Sequence, residues 1–252
     1  MAAFDLLVAI VAFILGLVVG SFLNVVIYRV PRHESVVHPG SHCPACGHAI
    51  RWYDNIPLLS YLLLRGRCRD CGARIPWRYP AVEVGAGLLF VAAAMVFGID
   101  PRLLLAWAFL AVLLAISLID LEHYVIPDRI VLPAAVVGLA ASIALDPSRW
   151  WVYIVSGLGA ALFLFILALI WPGGMGMGDV KMALLMGVVL GPTVIIALFV
   201  AFLVGAIVSI VLLALRVKSR KDKVTFGPYL ALGAALSLLW GTSLLDVYLN
   251  LY

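Results

Sequence analysis

Charged side chains are scarce in this chain. Lysine, arginine, aspartate and glutamate make up 12% of its 252 residues, whereas 65% of the residues are hydrophobic. Because a soluble domain is only about half apolar, this composition excludes a large soluble domain and predicts an all-α polytopic membrane protein. The first apolar run lacks a charged start and a small-residue cleavage site, so we expect a retained span and not a signal peptide.

The apolar runs predict about eight transmembrane helices, each needing about 20 apolar residues. We place them at 4–28, 81–98, 102–119, 130–146, 151–171, 180–196, 197–215 and 226–249. The division between the sixth and seventh rests on the Gly-Pro-Thr stretch at 191–193. We therefore divide the chain into a first transmembrane helix (1–28), a loop (29–80) and a helical membrane core (81–252).

Basic residues are distributed unevenly among the predicted loops. With eight spans, every lysine and arginine except Arg102 and Arg149 falls on one side of the membrane. Positive charge is retained in the cytoplasm. The pattern therefore predicts a cytoplasmic 29–80 loop and two periplasmic termini.

Cysteine is also rare, and the whole set lies within the predicted cytoplasmic loop. It forms two Cys-x-x-Cys pairs, each followed by a glycine, and the four residues are Cys43, Cys46, Cys68 and Cys71. Four thiolates from two such turns form a closed tetrahedral site, which is typical of structural zinc. The alternatives are disulfides, which a cytosolic loop disfavours, buried free thiols, or substitution of a ligand by His42 or His48.

Two acidic residues flank the connection between the third and fourth predicted helices. Asp128 follows a proline and precedes an apolar run, so a helix N-cap role explains it. Asp120 follows a long apolar run, where a negative charge opposes the helix dipole at the edge of the hydrocarbon. An ionisable group in that position is a functional candidate, although it can also be an interfacial carboxylate in water.

A third acidic residue, Asp179, lies in the glycine-rich stretch PGGMGMGDVK before the sixth span. It can cap that helix or take part in chemistry. Its glycines, which are Gly173, Gly174, Gly176 and Gly178, allow positive φ and close approach of another backbone. A cap needs neither property, whereas a site that admits a peptide strand needs both. Lys181 can extend to the membrane interface or tune the local field.

The predicted topology places Asp120 and Asp179 on the same side of the membrane, at similar depth. Two carboxylates brought together in a poorly hydrated place share a proton. The ionised partner can then activate water while the protonated partner donates to a carbonyl oxygen. The pair therefore predicts aspartic-protease chemistry that needs no metal.

The motifs at these positions resemble those of the type IV prepilin peptidases. The similar stretches are, in order, GSFLNVVIYRVPR, the double Cys-x-x-Cys loop, RYPAVE, LIDLEHYVIPD, GMGDVK and FGPYLALG. A G-x-G-D motif alone also occurs in presenilin-like proteases, but the combination is highly specific and covers nearly the whole chain.

The resemblance implies an aspartic endopeptidase of the bacterial inner membrane that cleaves the basic leader from type IV prepilins or type II secretion pseudopilins. It implies that Asp120 and Asp179 are catalytic and that S-adenosylmethionine donates a methyl group to the new N-terminus. Glu83 matches a family position that we link to this methylation. The expected partners are substrates with a basic leader and a hydrophobic helix, together with lipid and no nucleic acid. Because a basic loop repels a basic leader, we expect acidic residues such as Glu34, Asp54 and Glu122 to offset its charge.

Three rival functions are consistent with parts of this pattern. Intramembrane carboxylates also occur in transporters and channels, but the sequence has no internal symmetry. A metal-dependent lipid phosphotransferase would use the two carboxylates for magnesium and Lys181 for phosphate. A zinc-braced assembly factor would have no activity, and Asp120→Asn would then be silent.

Overall fold

The computed structural model describes residues 2–171, 175–216 and 225–250, and this part of the chain is predominantly helical. Its α-helices are Ala2–Arg29 (α1), Leu59–Leu63 (α2), Arg78–Phe97 (α3), Arg102–His123 (α4), Asp128–Leu145 (α5), Trp150–Ile170 (α6), Met177–Leu190 (α7), Val194–Ala214 (α8) and Gly227–Asn250 (α9). The described residues contain no strand beyond two isolated β-bridges between α1 and α3. The predicted all-α membrane fold is confirmed.

The apolar helices suit a bilayer in both length and composition. Six stretches are long and apolar enough to cross a membrane, and they are Phe4–Arg32, Arg78–Phe97, Arg102–His123, Asp128–Leu145, Pro147–Ile170 and Met177–Ala214. The last of these contains both α7 and α8, and α9 contributes a shorter apolar segment, Gly227–Gly241. A helix therefore lies at each predicted position, while the number of crossings stays a prediction.

Two boundaries of the sixth predicted helix, 180–196, are wrong. The helix begins earlier, at Met177, so that Asp179 lies inside its first turn. It ends earlier, at Leu190, because Gly191 adopts a φ of +61° and Pro192 lacks the N–H that a continuing helix needs. The break between α7 and α8 therefore lies at the Gly-Pro-Thr stretch itself.

The chain forms two compact units, Met1–Ala111 and Val112–Tyr252, and the boundary falls within α4. In the first unit, α1 packs closely on α3. A Cβ atom on Gly16 would lie 2.6 Å from Gly87 Cα, and one on Gly20 would lie 2.7 Å from Glu83 Cα. Small residues four apart allow this backbone approach, which stabilises helix pairs in membranes.

In the second unit, α7 packs against α5, α6 and α9, while α8 packs on α9. The contact between α6 and α7 depends on Gly157 and Gly187, since a Cβ atom on Gly187 would collide with the backbone of Gly157. Most of α7 is therefore buried, including Asp179. The helix is thus largely buried from Asp179 onward, whereas its first residue, Met177, is exposed.

Candidate active site and metal centre

Two buried aspartates lie together in the second unit. Asp120 is near the C-terminal end of α4, and Asp179 is in the first turn of α7. The two residues are only 6% and 7% exposed, respectively. Their carboxylates lie within range of a direct electrostatic interaction.

Asp120 is held by the start of the last helix. The backbone N–H of Gly227 donates a hydrogen bond of 3.0 Å to Asp120 Oδ2. The first N–H groups of a helix have no partner within it and carry the positive end of its dipole. The N-terminus of α9 therefore offsets the unfavourable position of Asp120 at the C-terminal end of α4.

Asp179 is held by its own turn. It occupies the third position of α7, and its Oδ2 accepts a hydrogen bond of 3.0 Å from the Gly176 N–H. This is the carboxylate half of a capping box, and Gly176, which has no side chain, is the N-cap residue. The carboxylate has a second oxygen, so capping does not prevent it from taking part in chemistry.

Positive φ was predicted for the glycine-rich stretch, but neither of its two described glycines, Gly176 and Gly178, adopts it. Gly176 has a φ of −86°, and Gly178 lies within the helix. A Cβ atom on Gly178, however, would lie 2.8 Å from Ile126 Cβ. The connection between α4 and α5 therefore packs directly beside Asp179. Gly173 and Gly174 lie outside the described residues.

An ion pair joins the beginnings of α5 and α7. Lys181 Nζ lies 2.7 Å and 2.8 Å from the two carboxylate oxygens of Asp128. The predicted N-cap role of Asp128 is wrong, because α5 begins at Asp128 itself and Pro127 is the N-cap residue. The carboxylate of Asp128 instead binds the ammonium group of Lys181. Lys181 follows Asp179 by two residues in α7.

The four predicted cysteines form one cluster in the first unit. The sulfur atoms of Cys43, Cys46, Cys68 and Cys71 all lie within 4.8 Å of one another. They are free thiols, and this cluster could hold a metal ion. His42 and His48 are not part of it, and His42 Nδ1 lies 3.1 Å from the carbonyl oxygen of Gly40.

The two Cys-x-x-Cys turns have the same backbone structure. In the first, the Gly47 N–H donates to the Cys43 carbonyl at 2.8 Å, and in the second the Gly72 N–H donates to the Cys68 carbonyl at 3.0 Å. Both glycines have a positive φ, +75° and +72°, which is why glycine follows each pair. In the first turn, hydrogen bonds from backbone N–H groups of Cys46 and Ala45 lower the pKa of Cys43 to about 7.

Acidic residues form ion pairs with arginines of this basic loop. The Arg69 guanidinium donates three hydrogen bonds of 2.6 to 3.1 Å to the Asp54 carboxylate. This pairing lowers the pKa of Asp54. A longer ion pair, 3.6 Å between its atoms, joins Arg51 to Asp70.

Glu83 is distant in sequence from the two aspartates. It belongs to the first unit, whereas they belong to the second. It is on α3 and only 7% exposed. Its Oε2 accepts a hydrogen bond of 2.7 Å from the Leu58 N–H. It also lines a cavity of the first unit, between α1, α3 and the cysteine loop.

The sequence patterns assigned no role to three residues that lie at these sites. Gly227 orients Asp120, Ile126 packs on Gly178, and Asn24 is a buried amide near the C-terminal end of α1. A signal existed for Asn24, because a polar side chain within an apolar span is functional by default. Gly227 gave no comparable signal, since its role depends on a backbone group.

Comparison with protein families identifies two matching models. One is described as the bacterial peptidase A24 N-terminal domain and matches residues 14–97. The other is described as the type IV leader peptidase family and matches residues 107–210. No solved structure matches this chain.

Several curated proteins named prepilin leader peptidase/N-methyltransferase are similar along most of the chain. One from Pseudomonas aeruginosa is 37% identical, with coverage of 94% of this chain and 92% of the relative. One from Bacillus subtilis is 33% identical, with coverage of 96% and 98%. A relative from Myxococcus xanthus is 49% identical over 56% of this chain and 42% of its own length.

Proposed function

This chain belongs to the type IV leader peptidase family, and on that premise we propose that Asp120 and Asp179 are the catalytic pair of a membrane endopeptidase that removes the leader from prepilins. The observation that carries the proposal is the arrangement of the pair. Both carboxylates are buried, they interact with each other, and each accepts a hydrogen bond from a glycine N–H.

The pair hydrolyses the peptide bond by general acid–base catalysis. One aspartate is ionised and takes a proton from a water molecule, whose oxygen attacks the scissile carbonyl carbon. The other is protonated and donates to the carbonyl oxygen. Collapse of the tetrahedral intermediate breaks the C–N bond, and the leaving amine takes up a proton. A glycine N–H donor at each aspartate leaves its second oxygen available for this exchange.

The surrounding residues adapt the site to a chain emerging from the bilayer. Gly176 is exposed and has open space beside it, which lets an unwound peptide strand approach the carboxylates, whereas Gly178 makes room for Ile126. Lys181 holds the start of α7 against α5 through Asp128. A lipid phosphotransferase would need Lys181 to bind phosphate, but its ammonium group is engaged by that carboxylate.

We propose zinc as the ion of the cysteine cluster. Four thiolates within 4.8 Å of one another suit a tetrahedral ion with sulfur ligands. Backbone N–H groups directed at Cys43 support the thiolate form. A closed four-sulfur site leaves no position for a reacting water, so the ion braces the loop and takes no part in cleavage.

The relatives' names include N-methyltransferase, and we extend that activity to this chain. S-adenosylmethionine carries its methyl group on a positively charged sulfur and supplies it as an electrophile. The neutral N-terminal amine of the cleaved pilin forms the new N–C bond. The C–S bond breaks, its electron pair stays on sulfur, and the methylated ammonium releases one proton to water.

The substrates are prepilins or pseudopilins with a basic leader and a hydrophobic helix, held in the bacterial inner membrane. The basic loops orient the cysteine loop and both aspartates toward the cytoplasm and the termini toward the periplasm. In the three-part division, residues 29–80 form the zinc loop and 81–252 the catalytic core.

The experiment that tests this function uses the purified full chain in detergent. It is incubated with a prepilin, with and without S-adenosylmethionine, and the products are read by mass spectrometry. We expect leader loss in both samples and an additional methyl group only when the donor is present. An intact prepilin under both conditions would overturn the peptidase assignment.

A further inference from the structure

The segment between α1 and α3 carries exposed apolar side chains that lie outside the apolar stretches long enough to cross a membrane. Most of them belong to α2 and to the 3₁₀ turn Trp52–Asn55, which packs against α2. Together they form the apolar patch, which consists of Trp52, Ile56, Leu59, Leu62, Leu63 and Trp77. Exposed apolar surface of this kind marks a site for a partner or for a membrane.

The short helix α2 leaves its apolar face open. Leu59, Leu62 and Leu63 have the three- and four-residue spacing that places side chains on one face of a helix, and all three are exposed. Ser60 lies off this face and is buried, and its hydroxyl donates a hydrogen bond of 2.6 Å to the Ile56 carbonyl oxygen. In water, this arrangement would expose the side chains that cost most to hydrate.

A hydrogen bond holds α2 beside the beginning of α3. The Leu58 N–H, at the start of α2, donates to Glu83 Oε2 at 2.7 Å. Glu83 follows the first residue of α3, Arg78, by five residues, which is about 8 Å along the helix axis. A helix of 20 residues is about as long as the hydrocarbon core is thick, so the first turns of α3 lie at the boundary between lipid and water. The hydrogen bond therefore places α2 near that boundary.

Tryptophans support this location. Trp77 is the N-cap residue of α3 and is 77% exposed, and Trp52 beside α2 is 82% exposed. Tryptophan is enriched where a membrane meets water, because its ring is apolar and its N–H can stay hydrated. Both ends of the apolar patch therefore carry the residue type that favours this interface.

Unpaired basic side chains follow the apolar patch along the chain. Arg65 and Arg67 come directly after α2, and both are exposed. In the part of the chain that the structure describes, neither forms an ion pair with a carboxylate. Arg69, by contrast, is engaged by Asp54. Free guanidinium groups next to an apolar face attract anionic lipid headgroups.

We propose that the apolar patch inserts into the lipid–water interface of the membrane that α3 crosses, and that Arg65 and Arg67 bind the phosphates of anionic lipids. The occupant is lipid because the patch is held at the membrane boundary and combines exposed tryptophans with unpaired arginines. Since Cys68 follows Arg67 directly, the second Cys-x-x-Cys turn then lies beside the headgroups. This anchor goes beyond peptide cleavage and does not depend on it.

Photolabelling by lipids tests the anchor on the purified full chain. The protein is placed in nanodiscs that contain phosphatidylcholine and phosphatidylglycerol in equal parts, with a trace of one lipid carrying a diazirine near the glycerol end of an acyl chain. After irradiation, mass spectrometry locates the adducts. We expect adducts on residues 52–63 as well as on α3. Adducts on α3 with none on residues 52–63 would overturn the proposal.

A double variant tests the apolar face of α2. Leu62→Gln with Leu63→Gln should reduce the labelling of residues 52–63 about tenfold, because both side chains become polar. Met95→Gln is the matched control, since it alters an exposed apolar side chain near the far end of α3 and should leave that labelling unchanged. Parent-like labelling of the folded double variant would overturn the proposal. Thermal unfolding checks the fold, and the parent measurement decides alone if the double variant does not fold.

The preference between lipids tests the arginines. Diazirine-bearing phosphatidylglycerol should label residues 52–63 of the parent several-fold more than the phosphatidylcholine probe, because only the former has a net negative charge. Arg65→Gln with Arg67→Gln should remove this preference and keep the adducts. Arg102→Gln is the control, because this exposed arginine lies beyond the other end of α3. Equal labelling of the parent by the two probes would overturn the role of the arginines.

Added prepilin separates lipid from the other apolar occupant, the hydrophobic helix of a substrate. Lipid adducts on residues 52–63 that persist at saturating prepilin support the anchor. Adducts that disappear when prepilin is added would assign the apolar patch to the substrate helix and overturn the proposal.

Discussion

The Gly227 N–H donates a hydrogen bond to Asp120 Oδ2 across 107 residues of sequence. A Cβ atom on Gly227 would lie 2.6 Å from that same oxygen. The backbone donor and the missing side chain are thus both required for Asp120 to occupy its position. This relationship makes the start of α9 part of the geometry of the proposed catalytic pair.

Gly227→Ala should displace Asp120 and lower kcat for leader removal at least tenfold, which corresponds to about 1.4 kcal/mol of lost transition-state stabilisation. The measurement is steady-state cleavage of a purified prepilin at saturating concentration. Gly159→Ala is the control, because a Cβ atom on this exposed helical glycine has open space around it. Parent-like cleavage by Gly227→Ala would show that Asp120 does not depend on this contact.

Asp120→Asn and Asp179→Asn should each abolish leader removal. The amide oxygen of an asparagine can still accept the glycine N–H, so both variants should fold with thermal stability close to that of the parent. Cleavage and thermal unfolding are measured on the same preparations. Processing at the parent rate by either variant would refute the assigned roles.

Alanine substitutions of the two glycines near Asp179 should have different effects on stability. A Cβ atom on Gly178 would meet Ile126 at 2.8 Å, whereas one on Gly176 would lie 3.5 Å from its nearest neighbour, Asp179 Oδ2. Gly178→Ala should therefore destabilise the protein by about 1–3 kcal/mol, and Ile126→Ala should partly restore it. Gly176→Ala should keep the parent's stability and raise KM, because it narrows the approach for substrate. Equal thermal stabilities of the two glycine variants would contradict this distinction.

The ion pair between Asp128 and Lys181 should contribute modestly to the free energy of unfolding. Both side chains are partly exposed, and such pairs contribute about 0.2–1 kcal/mol. Asp128→Asn and Lys181→Gln should each lower stability by about that amount, and the double variant should show less than the sum. A double-mutant cycle of chemical unfolding measures the coupling. Strictly additive effects would mean that the pair does not stabilise the fold.

Replacing the cysteine ligands should abolish metal binding without abolishing peptide cleavage. Replacing Cys43 and Cys68 with serine should abolish zinc binding and make the loop more sensitive to proteolysis. Leader removal should persist, because both aspartates belong to the other unit. Zinc content by mass spectrometry, limited proteolysis and cleavage are measured together. Complete loss of cleavage in a variant with a folded membrane core would contradict a purely supportive metal.

The residues that sequence patterns predicted are those whose signal is local. The Cys-x-x-Cys spacing, with a glycine after each pair, predicted the four-sulfur cluster because each turn is formed by adjacent residues. A charge after a long apolar run made Asp120 a candidate in the same way. The helical class followed from composition, since only helices and closed barrels satisfy their backbone within a bilayer.

The contacts that sequence patterns did not predict join distant positions. Asp128 was expected to cap its own helix, but Lys181 lies 53 residues away and neutralises it. Periodicity describes one helix at a time and contains no information about which helix ends meet. The unpaired oxygen of Asn24 was missed for a related reason, because only the packing of α1 shows that its nitrogen is used and its oxygen is not.

The matched portion of the type IV leader peptidase model stops at residue 210, before the N–H of Gly227. A fragment cut at that border would retain both acids but lose the backbone amide that binds Asp120, because the final helix contributes this group. We therefore expect that truncating or displacing α9 inactivates the enzyme even though Asp120 and Asp179 are unchanged.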